Sequence, residues 1–177
     1  MKKLAIILIL LVAPLATSAQ GFFDAYEDEK DVTAVVVTKN MFKLLAKIDI
    51  ESDDPEVQEY MNLVNNLENI KIFITENPAT GKRMAGDVEA YISKNKSLSE
   101  LMRVKDDGQN IKFYSKEGKN ENFVSELLMF LEGSMDGKDG TVIMSITGNI
   151  DLKQVSKLTK DLNVPGTEGL KKLDKKN

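Results

Sequence analysis

The chain has no cysteine, no histidine and no tryptophan among its 177 residues. These absences remove disulfides, thiolate and imidazole metal sites, cysteine nucleophiles and every acid–base scheme that needs an imidazole. Positive charge is also in short supply: 24 Lys and Arg face 28 Asp and Glu, a formal net charge of −4. The chain therefore carries no overall electrostatic footprint for nucleic acid. It has neither a Walker-type glycine-rich phosphate loop nor a G-x-S-x-G nucleophile elbow. No cofactor is implied by any motif.

What is present is a globular composition, 42% hydrophobic and 29% charged, on a chain long enough for one domain with its own core. The long apolar run lies at residues 4–15, behind the basic start Met1-Lys2-Lys3 and ahead of the small residues Thr17-Ser18-Ala19. This is the pattern of a cleaved export signal, with the cut after Ala19. The run is shorter than the ~20 residues that a spanning helix needs. Residues 20–166 are then expected to form a single α+β domain, followed by a Lys-rich flexible tail at 167–177. Loss of Lys2 and Lys3 would leave the exported chain more acidic still. Its location is expected to be periplasmic or extracellular.

Along the chain, Phe22, Phe23 and Tyr26 fall at helical spacing in an acidic lead, which predicts a short turn docked on the body. Residues 32–38, VTAVVVT, read as a buried strand expected at the centre of the sheet. Met41, Leu44, Leu45 and Ile48 predict a short amphipathic helix. Asp54-Pro55 opens a second helix, with Val57, Tyr60, Met61, Val64 and Leu67 on one face and Asn65-Asn66 and Asn69 marking its end. Ile70, Ile72 and Ile74 alternate as a strand, and Asn77-Pro78 starts a third helix with the stripe Met84, Val88, Tyr91 and Ile92. From Leu98 onward, segments at 100–105, 111–116, 123–132 and 142–147 are separated by Gly-containing turns, which predicts an antiparallel meander. Residues 123–131, FVSELLMFL, have apolar residues on both faces and are read as strand over helix.

Residues 141–162 form the expected anchor of the fold. Val142, Met144 and Ile146 follow strand period, Gly148-Asn149 reads as a turn, and Leu152, Val155, Leu158 and Leu162 mark a last helix. Asp151-x-x-Gln154 resembles a capping box. Val142, Met144, Ile146, Leu152, Val155 and Leu158 are expected to be buried together. Thr38-Lys39-Asn40, Thr75-Glu76-Asn77 and Thr147-Gly148-Asn149 share a Thr-x-Asn pattern, which capping explains more simply than an anion site at three helix N-termini.

Carboxylates are the remaining reactive groups. The adjacent pairs Asp53/Asp54 and Asp106/Asp107 are the candidates for paired acid–base work, but both stand where Asp builds turns and caps helices. The segment 133–140, GSMDGKDG, has acidic residues spaced loosely like a calcium loop. Lys138 lies between them and the closing Glu is missing, so a flexible hairpin connection is expected and no metal site is assigned. Lys171, Lys172, Lys175 and Lys176 read as a solvated end.

The segments V-x-x-x-x-V-T-K-N-M-F at 32–42, E-L-M-R-V-K-D at 100–106, S-E-L-L-M-F at 125–130 and I-T-G-N-I-D-L-x-x-V-S-K-L at 146–158, behind an exported N-terminus, resemble domain-of-unknown-function family 4252, a group of small exported bacterial proteins. The resemblance spans essentially the whole exported chain and implies an exported single-domain protein. It assigns no catalytic residues.

The expected architecture is thus α+β, with a single mixed, mostly antiparallel sheet and helices packed on one face. The expected function is that of a non-catalytic module binding another protein or a cell-envelope component. The alternatives are a carrier of a small apolar ligand and a hydrolase using carboxylates alone. No catalytic, cofactor-binding or metal-ligating residue is assigned.

Overall fold

The computed structural model describes residues 21–47, 55–106, 108–120, 122–135 and 137–151. A single 3-10 turn, Asp24–Tyr26, precedes the elements β1 (Thr33–Thr38), α1 (Lys39–Lys47), α2 (Pro55–Asn66), β2 (Leu67–Thr75), α3 (Pro78–Lys94), β3 (Leu98–Asp106), β4 (Gln109–Glu117), β5 (Phe123–Met135) and β6 (Lys138–Asp151). The strands form one six-stranded sheet in the order β1-β2-β6-β5-β4-β3, with every neighbouring pair antiparallel. The expected export signal, Asp53 and Asp54, Asp107, the helix at 152–162 and the tail lie outside the described residues.

The meander from β3 to β6 follows the sequence reading, and FVSELLMFL is a strand. Its double-sided apolar character has a direct cause: β5 lies between β4 and β6, with helices and chain packed on both sheet faces. Leu128 and Phe130 join one hydrophobic cluster, Met129 and Leu131 the other. Phe73 on β2 and Ile143 on β6 do the same against Ile72, Ile74, Val142 and Met144. Burying each such large apolar side chain stabilises the fold by roughly 1.5–3 kcal/mol.

These two clusters correct the expectation that the helices share one face. α3 covers one face through Met84 and Val88, while Phe42 of α1 and Val64 of α2 belong to the cluster on the other. Both faces of the central strands are apolar, so both need a cover. A second correction concerns VTAVVVT. β1 is an edge strand paired only with β2, and Val35 and Val36 are exposed at 45% and 37%. β-branched residues set the extended conformation, but they do not choose a strand's rank in the sheet. A third concerns α1. It starts directly at the end of β1, and in the phase this imposes Phe42 is buried while Met41 and Leu44 face outward.

The turn expected at Gly148-Asn149 does not form. β6 continues through it to Asp151, with Val124 opposite Ile150 and Phe123 opposite Asp151. Gly148 instead occupies an irregularity in the ladder, at φ +149°, with the β2 backbone so close that an added Cβ would lie 2.9 Å from the Leu67 Cα. The glycine marks a close approach within a strand rather than its end. At 133–140 the ladder likewise persists where a flexible connection is expected, with Gly133 opposite Gly140 and Met135 opposite Lys138. Val142, Met144 and Ile146 are buried in one cluster, as the periodicity predicts.

Of the three Thr-x-Asn segments only one is a cap. Asn77 accepts from the Ala79 and Thr80 amides at 2.9 and 3.2 Å, with Pro78 opening the helix behind it. Asn40 lies inside α1 and Asn149 inside β6. Thr38 pairs with Asn69 whereas Thr75 lies at the far end of β2, so these segments do not converge on one sheet edge. Asn95 closes α3, its side chain donating to the Tyr91 carbonyl at 2.9 Å.

Two substitutions test this account in urea unfolding. Asn77→Ala is expected to lower stability by about 1 kcal/mol through loss of the cap. Gly148→Ala is expected to cost more than about 1 kcal/mol, because both its dihedral and its neighbouring backbone oppose a Cβ. A Gly148→Ala protein with an unchanged midpoint would remove the close approach from the account.

Candidate functional site

On the α3 face the antiparallel register stacks side chains in rows across β2, β6, β5 and β4. Phe73, Ile143 and Phe130 form an apolar row near the middle. Towards the β6 C-terminal end the rows turn polar: Lys71 lies opposite Ser145, and Asn69 and Glu126 both lie opposite Thr147. The ladder is irregular on both sides of this last row, between Leu67 and Asn69 on β2 and between Val124 and Glu126 on β5. Such bulges re-aim side chains and are frequent beside functional sites.

Glu126 is the unusual member. It is 6% exposed, a buried carboxylate in a strand whose following residues 127–131 are all apolar. The Tyr91 hydroxyl, from the last turn but one of α3, lies 3.0 and 2.9 Å from its two carboxylate oxygens. Burial pushes the Glu126 carboxyl above its ordinary range, and hydrogen bonds from Tyr91 and Ser145 together with the field of Lys116 offset this only in part. No ion pair among the described residues includes Glu126. Burial, together with the adjacent Glu126 charge, pushes the Tyr91 phenol well above its usual value, so it remains protonated as a donor.

Beside this pair, Lys71 binds Asp24 and, at 2.7 Å, Glu27. Burial opposes its charge, but the hydrogen bonds to the two carboxylates outweigh burial and raise its pKa. Asp24 also accepts from the Gly21 amide at 2.6 Å, which closes the acidic lead into its turn. The lead is docked, as its aromatic spacing predicts. Phe23 and Tyr26 are buried, and Tyr26 donates to Asp87 at 2.5 Å. Burial and that carboxylate push the Tyr26 phenol up to about 12. Phe22, by contrast, is partly exposed and packs against Phe23 and Tyr91, with ring centroids 5.4 and 5.0 Å apart.

Between this docked lead and the sheet lies a cleft of about 330 Å³. Gly21, Phe22, Phe23 and Asp24 form its lead side, and Asn69, Lys71, Glu126, Ser145, Thr147 and Tyr91 supply the rest. A second cleft, of about 460 Å³, lies at the other end of α3 around Thr75, Asn77, Gly81, Glu132 and Thr141. There the helix N-terminus is already capped by Asn77, and Gly81 lets α3 approach β6 so closely that a Cβ would meet the Thr141 hydroxyl at 2.5 Å. It contains no buried carboxylate.

The sequence candidates lie elsewhere. Asp106 is exposed at the end of β3, in a hairpin opposite Gln109, while Asp53, Asp54 and Asp107 fall outside the described residues. Asp139 lies exposed on β6 beyond the hairpin turn. Among the described residues no three acidic groups are placed to share a metal ion, and no helix is long and apolar enough to cross a membrane. Glu126 was legible in one respect only: it is a lone carboxylate within FVSELLMFL. Lys71 carries no sequence signal, and Asn69, expected to mark the end of the second helix, lies instead within β2.

The family model described as Domain of unknown function (DUF4252) matches residues 26–158, most of the chain, and the protein belongs to that family. No curated protein and no solved structure matches the chain.

The raised Glu126 pKa gives a stability prediction. Because the folded value lies above the unfolded one, the group's contribution is fully present below the unfolded pKa and is lost as pH rises through the folded pKa. Glu126→Gln does not titrate and still accepts from Tyr91. Its melting temperature is expected to match or trail wild type below about pH 4 and to overtake it towards neutrality. Parallel melting curves across that range would show that the ionised carboxylate carries no burial cost.

Proposed function

We propose that this DUF4252 protein is an exported, non-catalytic binding module that receives a small polar ligand, or a polar group of an envelope component, in the cleft beside Glu126. The observation that carries this reading is a carboxylate kept buried against its own solvation at the sheet wall of an open cleft. Buried ionisable groups with strained titration are disfavoured by stability alone and cluster at functional sites. The export part of the reading rests on the signal-like pattern at residues 1–19.

Binding is favoured over catalysis by the state of the groups around the cleft. Lys71 is held as an ammonium by Asp24 and Glu27, and so lacks the free amine that a nucleophile needs. Tyr91 is held as a phenol. Ser145 has no imidazole or free amine beside it to accept its proton. A carrier of an apolar ligand fits this cleft poorly, since Asn69, Lys71, Glu126, Ser145 and Thr147 all line it. A carboxylate-only hydrolase loses Asp106 as a candidate, because that residue is exposed at a hairpin.

The test is to add size-fractionated envelope extract to the isotopically labelled protein and follow its amide resonances. Saturable shifts centred on Phe22, Asn69, Lys71, Tyr91 and Glu126, attenuated in Glu126→Gln, are the expected result. Saturable shifts confined to the α1–α2 face, or none at all, would overturn the assignment of this cleft.

A further inference from the structure

We infer that the ligand of this cleft is a small organic ammonium compound, an inference that rests on the binding reading above. Three independent features of the cleft converge on that chemistry.

The first is an unbalanced carboxylate. An ionised carboxylate offers about four acceptor positions. Those of Glu126 are met here by one phenol and one serine hydroxyl, both neutral. The nearest cation on the cleft wall, Lys71, is committed to Asp24 and Glu27. Lys116, opposite Glu126 on β4, lowers its pKa through its charge but forms no ion pair with it among the described residues. A ligand cation reaching Glu126 would complete a charge-assisted pair that the described residues leave open.

The second is an aromatic corner. Phe22, Phe23 and Tyr91 all line the cleft, and each ring contacts the other two at centroid distances of 5.0–5.4 Å with no two rings parallel. Three aromatic residues thus gather on one wall of the cleft, and aromatic faces attract an alkylammonium. One face is already used in this way by the protein's own Lys94 ammonium, 5.3 Å from the centre of the Phe22 ring. Phe22, at 38%, is the most exposed of the three, so the corner opens to solvent.

The third is the end of α3. Tyr91 and Lys94 lie in its last turns, where the helix dipole is negative and favours a cation. The opposite cleft, at the positive end of the same helix, has neither a buried carboxylate nor an aromatic ring in its lining. A volume of about 330 Å³ suits a compound of a few carbons, near the lower end of the roughly 300–1,000 Å³ typical of ligand sites. That size favours a free small molecule over a segment of polymer.

The test titrates the labelled protein with choline and with neohexyl alcohol, its uncharged isostere. Choline is expected to saturate shifts at Phe22, Tyr91 and Glu126, with the alcohol inert at the same concentrations. Glu126→Gln should weaken choline by about tenfold or more, and Phe22→Ala, at an exposed position that leaves the core intact, by roughly three- to tenfold. Phosphatidylcholine vesicles and a lysine-containing peptide form the other arms. Binding only to vesicles, or only to the peptide, would overturn the small-molecule assignment. Equal binding of the alcohol, or choline affinity unchanged in both variants, would overturn the ammonium assignment. If envelope fractions shift these residues while all four probes fail, the binding reading stands and the ammonium inference falls. If the extract fails as well, both fall.

Discussion

The pairing of β5 with β6 is the constraint on which the rest of this structure depends. Both strands lie inside the sheet, and consecutive residues on each feed opposite hydrophobic clusters: Leu128 and Ile143 towards α3, Met129 and Met144 towards α1 and α2. A slip of one residue would exchange the two faces. If β5 slips, Glu126 is carried into the opposite hydrophobic cluster and Met129 moves beneath α3; if β6 slips, the same exchange befalls Ser145 and Met144. Burying an unpartnered carboxylate there would be costly enough to exclude the alternative. Glu126 is therefore tolerated only because one register places it at the polar end of one face, with Tyr91 above it. The same group whose charged form is disfavoured by burial helps to specify the pairing.

The acidic lead completes what the sheet begins. Asp24 and Glu27 would be ordinary surface carboxylates in an isolated peptide. Docking through Phe23 and Tyr26 brings them onto Lys71, a half-buried lysine on β2 that needs counter-charge. The lead thus neutralises a cation of the sheet and walls the cleft in a single contact. Its arginine partner, Arg83, reaches Glu29 at 3.0 Å from the exposed side of α3 and lies 5.6 Å from the Tyr26 ring centre. As an exposed pair it contributes little energy by itself. The buried aromatics hold the lead in place, and the charges orient it.

Much of the local structure was legible from residue order. Asn77-Pro78 announced the start of α3, and the stripe beginning at Met84 announced its buried face. The Gly-containing turns separated the meander, and the aromatic spacing of the lead announced its docking. Where the reading of Gly148-Asn149 failed, it failed because a glycine that permits close backbone approach carries the same letter as a glycine that permits a turn. Only the neighbouring strand distinguishes them, and the backbone of Asn66 and Leu67 is that neighbour.

Local periodicity by itself located most of the strands and helices and the buried stripe of α3, because those properties depend on neighbours a few positions away in the chain. Family membership was legible in the resemblance of segments such as 32–42, 100–106 and 125–130. Only the tertiary structure decided that VTAVVVT lies at the sheet edge, that the helices divide between two faces, and that Glu126 meets Asn69, Lys71 and Tyr91 around one cleft. Those relations join residues tens of positions apart through backbone pairing and packing, for which the order of residues carries no local mark.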